Sequence, residues 1–255
     1  MGEQKSTERR AALVTGASQG LGAAIALALA RDGFDVAVTE LSAPPLAKSV
    51  AAIEAVGARA LAVELDVRSL SSIERAMAEA VSAFGRVDVL VNNAGVPQRL
   101  SVLEVTPTDW DAVMDVNLKG AFFMSRELGR HLIGTKRPGC IVSLASTYGL
   151  IGFPGRSTYG ISKAGIAHMT RMLAIEWAEH GIRVNAIAPG ATETPSRAAH
   201  IAENPAFREV IINRIPQHRL GRPEEMARAV CYLVSPQAAY VTGQTLVLDG
   251  GLTSY

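Results

Sequence analysis

Short apolar segments alternate with longer segments of helical periodicity along almost the whole chain. The apolar segments are rich in Val, Leu and Ile without polar alternation, a pattern typical of strands buried on both faces of a parallel sheet. We predict strands at 11–15, 35–39, 60–65, 88–92, 139–144, 183–188 and 245–248, and helices at 20–32, 46–56, 70–84, 108–134, 158–180 and 223–234. This order predicts a doubly wound α/β fold: one domain over residues 1–255, whose seven-stranded, mainly parallel sheet has helices on both faces.

Charge, cysteine content and hydropathy narrow the classes of partner and compartment. The formal net charge of +1 gives no reason to expect nucleic acid or a membrane as a partner. The two cysteines are far apart and form no CxxC pattern, which favours the reducing cytoplasm over a disulfide framework. The longest apolar run, residues 21–30, is about half the roughly 20 residues that span a bilayer. Residues 1–9 are polar, so we expect a flexible tail there, and the histidines show no metal-ligand spacing, so we expect no metal.

A glycine-rich turn follows the first predicted strand and leads directly into the first helix. Its spacing is Gly16-x-x-x-Gly20-x-Gly22, which allows the backbone to turn tightly and to approach a phosphate at the helix N-terminus. In this position between a strand and a helix the motif favours a nucleotide site, with a plain tight turn as the alternative.

An acidic residue, Glu40, ends the second predicted strand. A carboxylate there accepts hydrogen bonds from the adenosine ribose hydroxyls and repels a 2′-phosphate. Because no Arg or Lys neighbours Glu40 and Gln19 is neutral, we predict that NAD is preferred over NADP. The alternative is that Glu40 is a solvated loop carboxylate.

Three polar residues with the spacing of a catalytic site lie in one stretch: Ser146 at a strand end, then Tyr159 and Lys163 on one helix face. With the glycine turn, they make the chain resemble the short-chain dehydrogenase/reductase family from about residue 10 to residue 251. The resemblance is carried by Thr15-Gly16-x-x-x-Gly20-x-Gly22, Asp66-Val67, Asn92-Asn93-Ala94-Gly95, Asn117, Ser146, Tyr159-x-x-x-Lys163, Pro189-Gly190 with Thr194, and Asp249-Gly250-Gly251.

The resemblance implies a Rossmann-type fold, an NAD(P)-dependent oxidoreductase and a catalytic set of Ser146, Tyr159, Lys163 and Asn117. Tyr159 would act as the acid or base, and the charges of Lys163 and of oxidised nicotinamide would favour its phenolate. Ser146 would hydrogen-bond the substrate oxygen. Asn117, inside the predicted helix 108–134, would anchor a water in the proton relay to Lys163; alternatively it is an ordinary polar residue of that helix. The expected cofactor-binding residues are Gly16, Ser18, Gln19, Gly20, Leu21, Gly22, Glu40, Leu41, Asp66, Val67, Asn93, Ala94, Gly95, Tyr159, Lys163, Pro189, Gly190, Thr192 and Thr194.

The sequence gives less information about the substrate than about the type of reaction. By family analogy its pocket is walled by residues 96–99, 148–153 and a flexible lid at 191–216, and Gln98 and Arg99 would hydrogen-bond a polyol or an acid unless they are merely exposed. We expect a sugar, a polyol or a small 3-hydroxy acid derivative. A 3-oxoacyl-thioester reductase of the acyl carrier protein type is the competing enzyme, and a non-catalytic dinucleotide-binding sensor or scaffold is the alternative from another class.

The helix predicted at 158–180 is apolar on more than one face. One face packs on the sheet, and the other needs a cover, either from the same chain or from a partner subunit. The family analogy favours a homotetramer built on the two long central helices, with a dimer as the next choice. Thr108 is expected to cap the N-terminus of the other long helix, predicted at 108–134.

Overall fold

The computed structural model describes residues 9–203 and 205–254. Its strands are β1 (Arg10–Val14), β2 (Phe34–Glu40), β3 (Ala60–Glu64), β4 (Val89–Asn92), β5 (Gly139–Leu144), β6 (Ile182–Pro189) and β7 (Thr245–Leu248). They form one sheet in the order β3-β2-β1-β4-β5-β6-β7, and every neighbouring pair is parallel. The predicted fold class is therefore confirmed.

The helices are α1 (Gly20–Arg31), α2 (Ala47–Glu54), α3 (Leu70–Phe84), α4 (Pro107–Met114), α5 (Ala121–Thr135), α6 (Ser157–Trp177), α7 (Pro195–Glu203), α8 (Pro205–Arg214) and α9 (Pro223–Val234). Two apolar cores lie on opposite faces of the sheet. On β1, Leu13 packs into the core shared with α3, α5 and α6, whereas Val14 packs into the core shared with α1, α2 and α9. Both residues are fully buried, which explains why β1 is apolar at consecutive positions from Ala11 to Val14.

The helix predicted at 108–134 differs from the structure in two respects. Its N-cap is Thr106 rather than Thr108: the Thr106 side chain accepts a hydrogen bond from the backbone of Asp109, and Pro107 occupies the first turn. The segment is also not uniformly α-helical, because Asp115–Gly120 forms a π-helical stretch between α4 and α5. Such stretches are often found at functional sites, and this one contains Asn117.

The segment predicted as a lid, residues 191–216, contains the two helices α7 and α8. Its role as a lid stays a prediction. The predicted tail at 1–9 lies outside the described residues except for Arg9. Within the described ranges, no helix has the length and apolar content needed to cross a bilayer.

Candidate active site

The turn between β1 and α1 forms a cradle of close-packed backbone. Gly16 and Gly20 have φ values of +64° and +61°, in the left-handed region that favours glycine. A Cβ on Gly22 would lie 2.3 Å from the carbonyl oxygen of Gly16, so no larger residue fits without displacement. The N-cap residue, Gln19, makes no side-chain cap hydrogen bond, and Leu21 packs its side chain against the core. The first turn of α1 therefore offers backbone N–H groups to an anion such as a phosphate.

The cradle is fastened to the end of β4. The hydroxyl oxygen of Thr15 accepts hydrogen bonds from the backbone N–H groups of Asn93 and Ala94, at 3.0 and 2.9 Å. The Asn93 amide donates in turn to the carbonyl oxygens of Thr15 and Gly16, at 2.9 and 2.7 Å. Thr15 belongs to the glycine-turn motif but was not among the site residues predicted from the sequence. Its place at the start of that turn could have indicated this structural role.

The carboxylate of Glu40 turns back towards the cradle. One oxygen accepts a hydrogen bond from the Ser18 hydroxyl at 2.7 Å, and the other accepts one from the backbone N–H of Leu41 at 3.1 Å. Three residues that the sequence assigns to the cofactor therefore lie together at the ends of β1 and β2. Of these, Leu41 has an exposed side chain.

Asp66 and Val67 follow β3 at the same edge. Both carboxylate oxygens of Asp66 accept hydrogen bonds from the Arg68 guanidinium, at 2.8 to 3.2 Å, and these bonds lower the pKa of Asp66. Val67 is buried against the π-helical stretch, where a Cβ on Gly120 would come within 2.8 Å of it. The pairing of Asp66 with Arg68 was not anticipated from the sequence.

Ser146, Tyr159 and Lys163 meet beyond the end of β5. Ser146 caps a 3₁₀ turn, where its hydroxyl accepts a hydrogen bond from the backbone of Tyr148, and it also hydrogen-bonds Tyr159. The Lys163 ammonium is buried, donates to the carbonyl oxygen of Leu144 at 2.6 Å and lies 5.7 Å from the centroid of the Tyr159 ring. The residues that the sequence singled out as catalytic are thus brought into one cluster.

Burial dominates the acid–base properties of this cluster. It raises the pKa of Tyr159, and the hydrogen bond from Ser146 and the charges of Arg156 and Arg197 oppose the rise. It lowers the pKa of Lys163 to about 8. Around the phenol, the loss of solvent outweighs the nearby positive charges, so the chain by itself raises the pKa of Tyr159. The phenol is therefore protonated at neutral pH. The lowering of this pKa by Lys163 together with oxidised nicotinamide stays a prediction.

Asn117 fastens the π-helical stretch to the loop after β4. Its side-chain oxygen accepts a hydrogen bond from the backbone N–H of Val96 at 2.8 Å, and its amide donates to the Val96 carbonyl and to the Ser162 hydroxyl, both at 3.1 Å. Gly95 lies between these groups: a Cβ there would be 3.2 Å from the Asn117 oxygen and 3.6 Å from the Lys163 ammonium. Asn117 thus lies beside the catalytic cluster and holds part of the predicted substrate wall.

The remaining residues that the sequence predicts to contact the cofactor lie at and after the end of β6. The backbone N–H of Gly190, which follows Pro189, donates to Leu248, and a Cβ on Gly190 would lie 2.8 Å from Asp249. Thr192 is buried and donates its hydroxyl to the Gly190 carbonyl at 3.2 Å. The Thr194 side chain lies against the phosphate cradle, because a Cβ on Gly20 would be 3.8 Å from it. The predicted site residues thus collect at the carboxyl edge of the sheet, where doubly wound folds bind ligands.

Comparison with known proteins relates residues 16–253 to a family model described as enoyl-(acyl carrier protein) reductase. The chain is 41% identical to 3β-hydroxysteroid dehydrogenase 1 of Eggerthella lenta, over 95% of this chain and 93% of that protein. It is 39% identical to a 3-oxoacyl-[acyl-carrier-protein] reductase of Thermotoga maritima, over 96% and 98% of the two chains. It is also 38% identical to 2-dehydro-3-deoxy-D-gluconate 5-dehydrogenase of Escherichia coli, over 96% of each.

Solved structures of dehydrogenases also match nearly the whole chain. A proposed short-chain alcohol dehydrogenase from Sinorhizobium meliloti matches with a TM-score of 0.93 and 41% identity, over 96% of each chain. A proposed 2-deoxy-D-gluconate 3-dehydrogenase from Agrobacterium tumefaciens, solved with bound NADP, matches with a TM-score of 0.90 and 39% identity, over 98% of each chain. These similarities cover nearly the whole chain, with both the cradle and the catalytic cluster.

Proposed function

The chain belongs to the short-chain dehydrogenase/reductase family and is an NAD(P)-dependent oxidoreductase acting on CH–OH groups, and we propose that Ser146, Tyr159 and Lys163 are its catalytic residues. The observation that carries this assignment is their convergence beyond β5, with the glycine cradle at the same edge of the sheet. A protein that only bound a dinucleotide would have no chemical need for this cluster, which argues against the sensor or scaffold alternative.

The residues present fit a dinucleotide. Backbone packed as tightly as that around Gly22, next to a helix N-terminus without a side-chain cap, leaves room for a phosphate to contact main-chain N–H groups. The cofactor would be held by Gly16, Ser18, Gln19, Gly20, Leu21 and Gly22, by Glu40, Leu41, Asp66 and Val67, and by Asn93, Ala94, Gly95, Tyr159, Lys163, Pro189, Gly190, Thr192 and Thr194. When bound, its nicotinamide supplies or accepts the hydride.

The chain's own residues handle the proton. Tyr159 holds a proton on its phenol oxygen at neutral pH and donates it to the carbonyl oxygen of a ketone during reduction; in oxidation it removes the same proton. Ser146 donates a hydrogen bond to the substrate oxygen and stabilises the charge that develops there. Lys163 stabilises the phenolate through its charge, and Asn117 belongs to the relay that returns the proton.

A second proposal is that NAD is preferred over NADP. It is supported by the position of Glu40, which directs a negative charge to the rim of the cradle beside Ser18. The NADP in the Agrobacterium tumefaciens structure shows that a close relative can hold the phosphorylated cofactor, so the preference needs a direct measurement. Glu40→Arg should shift the ratio of kcat/KM for NAD to that for NADP towards NADP by about tenfold or more, since it replaces repulsion with attraction. Glu40→Gln removes only the repulsion and should shift it less; an unchanged ratio in both variants would show that Glu40 does not contact the ribose.

For the substrate we propose a secondary alcohol or ketone in a sugar, a polyol or a small 3-hydroxy acid derivative. The gluconate-type substrates in the names of two relatives support this class. A 3-oxoacyl-thioester reductase is the second candidate, because a relative of 39% identity carries that name.

The experiment that tests the reaction follows reduced-nicotinamide absorbance with NAD or NADP against sugars, polyols, hydroxy acids and 3-hydroxyacyl thioesters. Tyr159→Phe should abolish turnover on any responding class and keep cofactor binding. Tyr240→Phe removes the same hydroxyl from a fully exposed tyrosine and should leave turnover unchanged. Retained turnover in Tyr159→Phe would refute the acid–base role.

We also propose a homotetramer that covers the outer face of α6. Ile166, Leu173 and Trp177 are buried in the core, but Met172 and Ile175 are 55% and 80% exposed. Exposed apolar residues on one face of a central helix indicate an interface. Ile175→Glu should lower the mass measured by light scattering, whereas a charge at the exposed Leu103, remote in sequence from α6, should not.

A further inference from the structure

Arginine side chains gather next to the catalytic tyrosine, and the proposed hydride transfer does not require them. The arginine cluster consists of Arg99 after β4, Arg156 at the N-cap of α6 and Arg197 on α7. The charges of Arg156 and Arg197 both act on the phenol of Tyr159. Arg99 and Arg156 line the same cavity, and the charges of Arg99 and Arg197 both lower the pKa of Arg156.

A cavity of about 260 Å³ opens at this cluster. It is lined by Arg99, Leu100, Ser101, Glu104, Phe153, Pro154, Gly155 and Arg156. Its volume is below the roughly 300 Å³ of pockets for drug-sized ligands, and Tyr159 is not among its lining residues, so the cavity fits one group of a substrate rather than the whole molecule.

Arg156 is fixed in the wall of this cavity. It is 8% exposed, donates a hydrogen bond to the carbonyl oxygen of Gln98 at 2.9 Å and lies 5.5 Å from the centroid of the Tyr148 ring. A buried guanidinium held in this way gives a preorganised positive charge, and α6 adds the positive end of its dipole because it begins at the next residue.

Bringing these positive charges together is unfavourable. Burial and the neighbouring guanidinium groups lower the pKa of both Arg99 and Arg156. Among the described residues that line the cavity, the two arginines Arg99 and Arg156 outnumber the one carboxylate, Glu104, which accepts a hydrogen bond from the backbone of Ser101 at 3.2 Å. The charge of Glu203 also acts on Arg99, and the guanidinium of Arg214 lies 5.3 Å from the centroid of the Phe153 ring, which lines the same cavity.

We propose that the arginine cluster binds an acidic group of the substrate, a carboxylate or a phosphate ester, and so holds the reacting carbon of a small acidic alcohol or ketone at Tyr159. This inference rests on the proposed function, because it places the substrate by reference to Tyr159. It narrows the expected class from sugars, polyols and small 3-hydroxy acid derivatives to those members that carry an acidic group. Guanidinium groups suit both anions, because their N–H fork matches the oxygens of carboxylate and phosphate.

The test compares acidic probes with neutral ones of matched size: gluconate against gluconamide, 3-hydroxybutyrate against its amide, and sorbitol 6-phosphate against sorbitol. Each is assayed for turnover with NAD and for stabilisation of the enzyme–NADH complex in thermal unfolding. The second measurement does not need turnover. The variants are Arg99→Gln and Arg197→Gln, which keep the buried Arg156 intact. The control is Arg31→Gln, at the end of α1 that lies away from the glycine cradle.

We expect at least one acid to be preferred over its neutral partner by about tenfold or more, the range of a charge-assisted hydrogen bond. Arg99→Gln and Arg197→Gln should raise the KM for that acid by about 10- to 100-fold and leave the KM for neutral probes within about twofold. Arg31→Gln should behave as the wild type. Preference for the carboxylates or for sorbitol 6-phosphate identifies which acidic group is bound.

Equal response to acidic and neutral probes in both assays would overturn the inference. Equal losses on acidic and neutral probes in the variants would also overturn it, because they would indicate a structural role. Oxidation of neutral alcohols without acid preference would leave the proposed function standing. Acid-specific stabilisation of the NADH complex without turnover would support binding of an acidic group by the cluster, and it would count against these acids as substrates.

Discussion

Gly22 is the position where one added methyl group should damage the phosphate cradle most. In Gly22→Ala the new Cβ would lie 2.3 Å from the carbonyl oxygen of Gly16 and 2.5 Å from the Asn93 amide nitrogen. Because Cβ contacts below 3.0 Å are essentially never observed, the oxygen and the methyl group must separate by at least about 0.7 Å. The Asn93 amide donates a hydrogen bond to that same oxygen at 2.7 Å, so the displacement also disturbs the hydrogen bonding between the cradle and the end of β4.

Overpacking of this kind costs about 1–3 kcal/mol. If this energy destabilises the conformation that binds NADH, the affinity for NADH falls by about 5- to 150-fold, since about 1.4 kcal/mol corresponds to a factor of ten. The assay is titration of NADH fluorescence, together with the midpoint of thermal unfolding.

Gly134→Ala is the matched control. Gly134 lies in α5, where an added Cβ would meet nothing within 4 Å, and alanine is favoured over glycine in a helix by about 1 kcal/mol. This variant should be equally or more stable and should bind NADH as the wild type does. Wild-type NADH affinity in Gly22→Ala would refute the argument that the close approach of the backbone at Gly22 shapes the cofactor site.

Three further predictions concern pH, buried hydrogen bonds and thiols. Burial lowers the pKa of Lys163 from 10.5 to about 8, so between these pH values the unfolded chain binds a proton that the folded chain has lost, and stability gains from rising pH. The melting temperature of the wild type should therefore rise relative to that of Lys163→Met from pH 8 to pH 10, and a constant difference would contradict this. Thr15→Val removes the acceptor of two backbone N–H groups and should cost about 1–3 kcal/mol in urea unfolding; no loss would mean that water replaces the hydroxyl. Burial raises the pKa of Cys140 to about 11 and that of Cys231 to about 12, so a thiol reagent at pH 8 should react slowly with the native protein and rapidly with both thiols after denaturation. Rapid labelling of the native protein would contradict this burial.

The sequence by itself determined the fold, and it predicted that Ser146, Tyr159 and Lys163 lie together. A strand such as β1 is apolar at consecutive positions because helices cover both of its faces, so its burial is recorded in the local pattern of residues. Tyr159 and Lys163 share a helix face because four residues make about one turn, and Ser146 follows the end of β5, the strand before that helix. These relations depend on short distances along the chain, and periodicity and spacing report them directly.

The tertiary structure alone decided the properties that arise between distant segments. The loss of solvent that raises the pKa of Tyr159 depends on everything packed around the phenol, and the pattern of residues along the chain does not report it. The π-helical stretch around Asn117 and the cap at Thr106 depend on hydrogen bonds that helical periodicity does not distinguish. The arginine cluster joins residues 99, 156 and 197, which the chain keeps far apart, and only the packing of three separate elements places their charges beside one phenol.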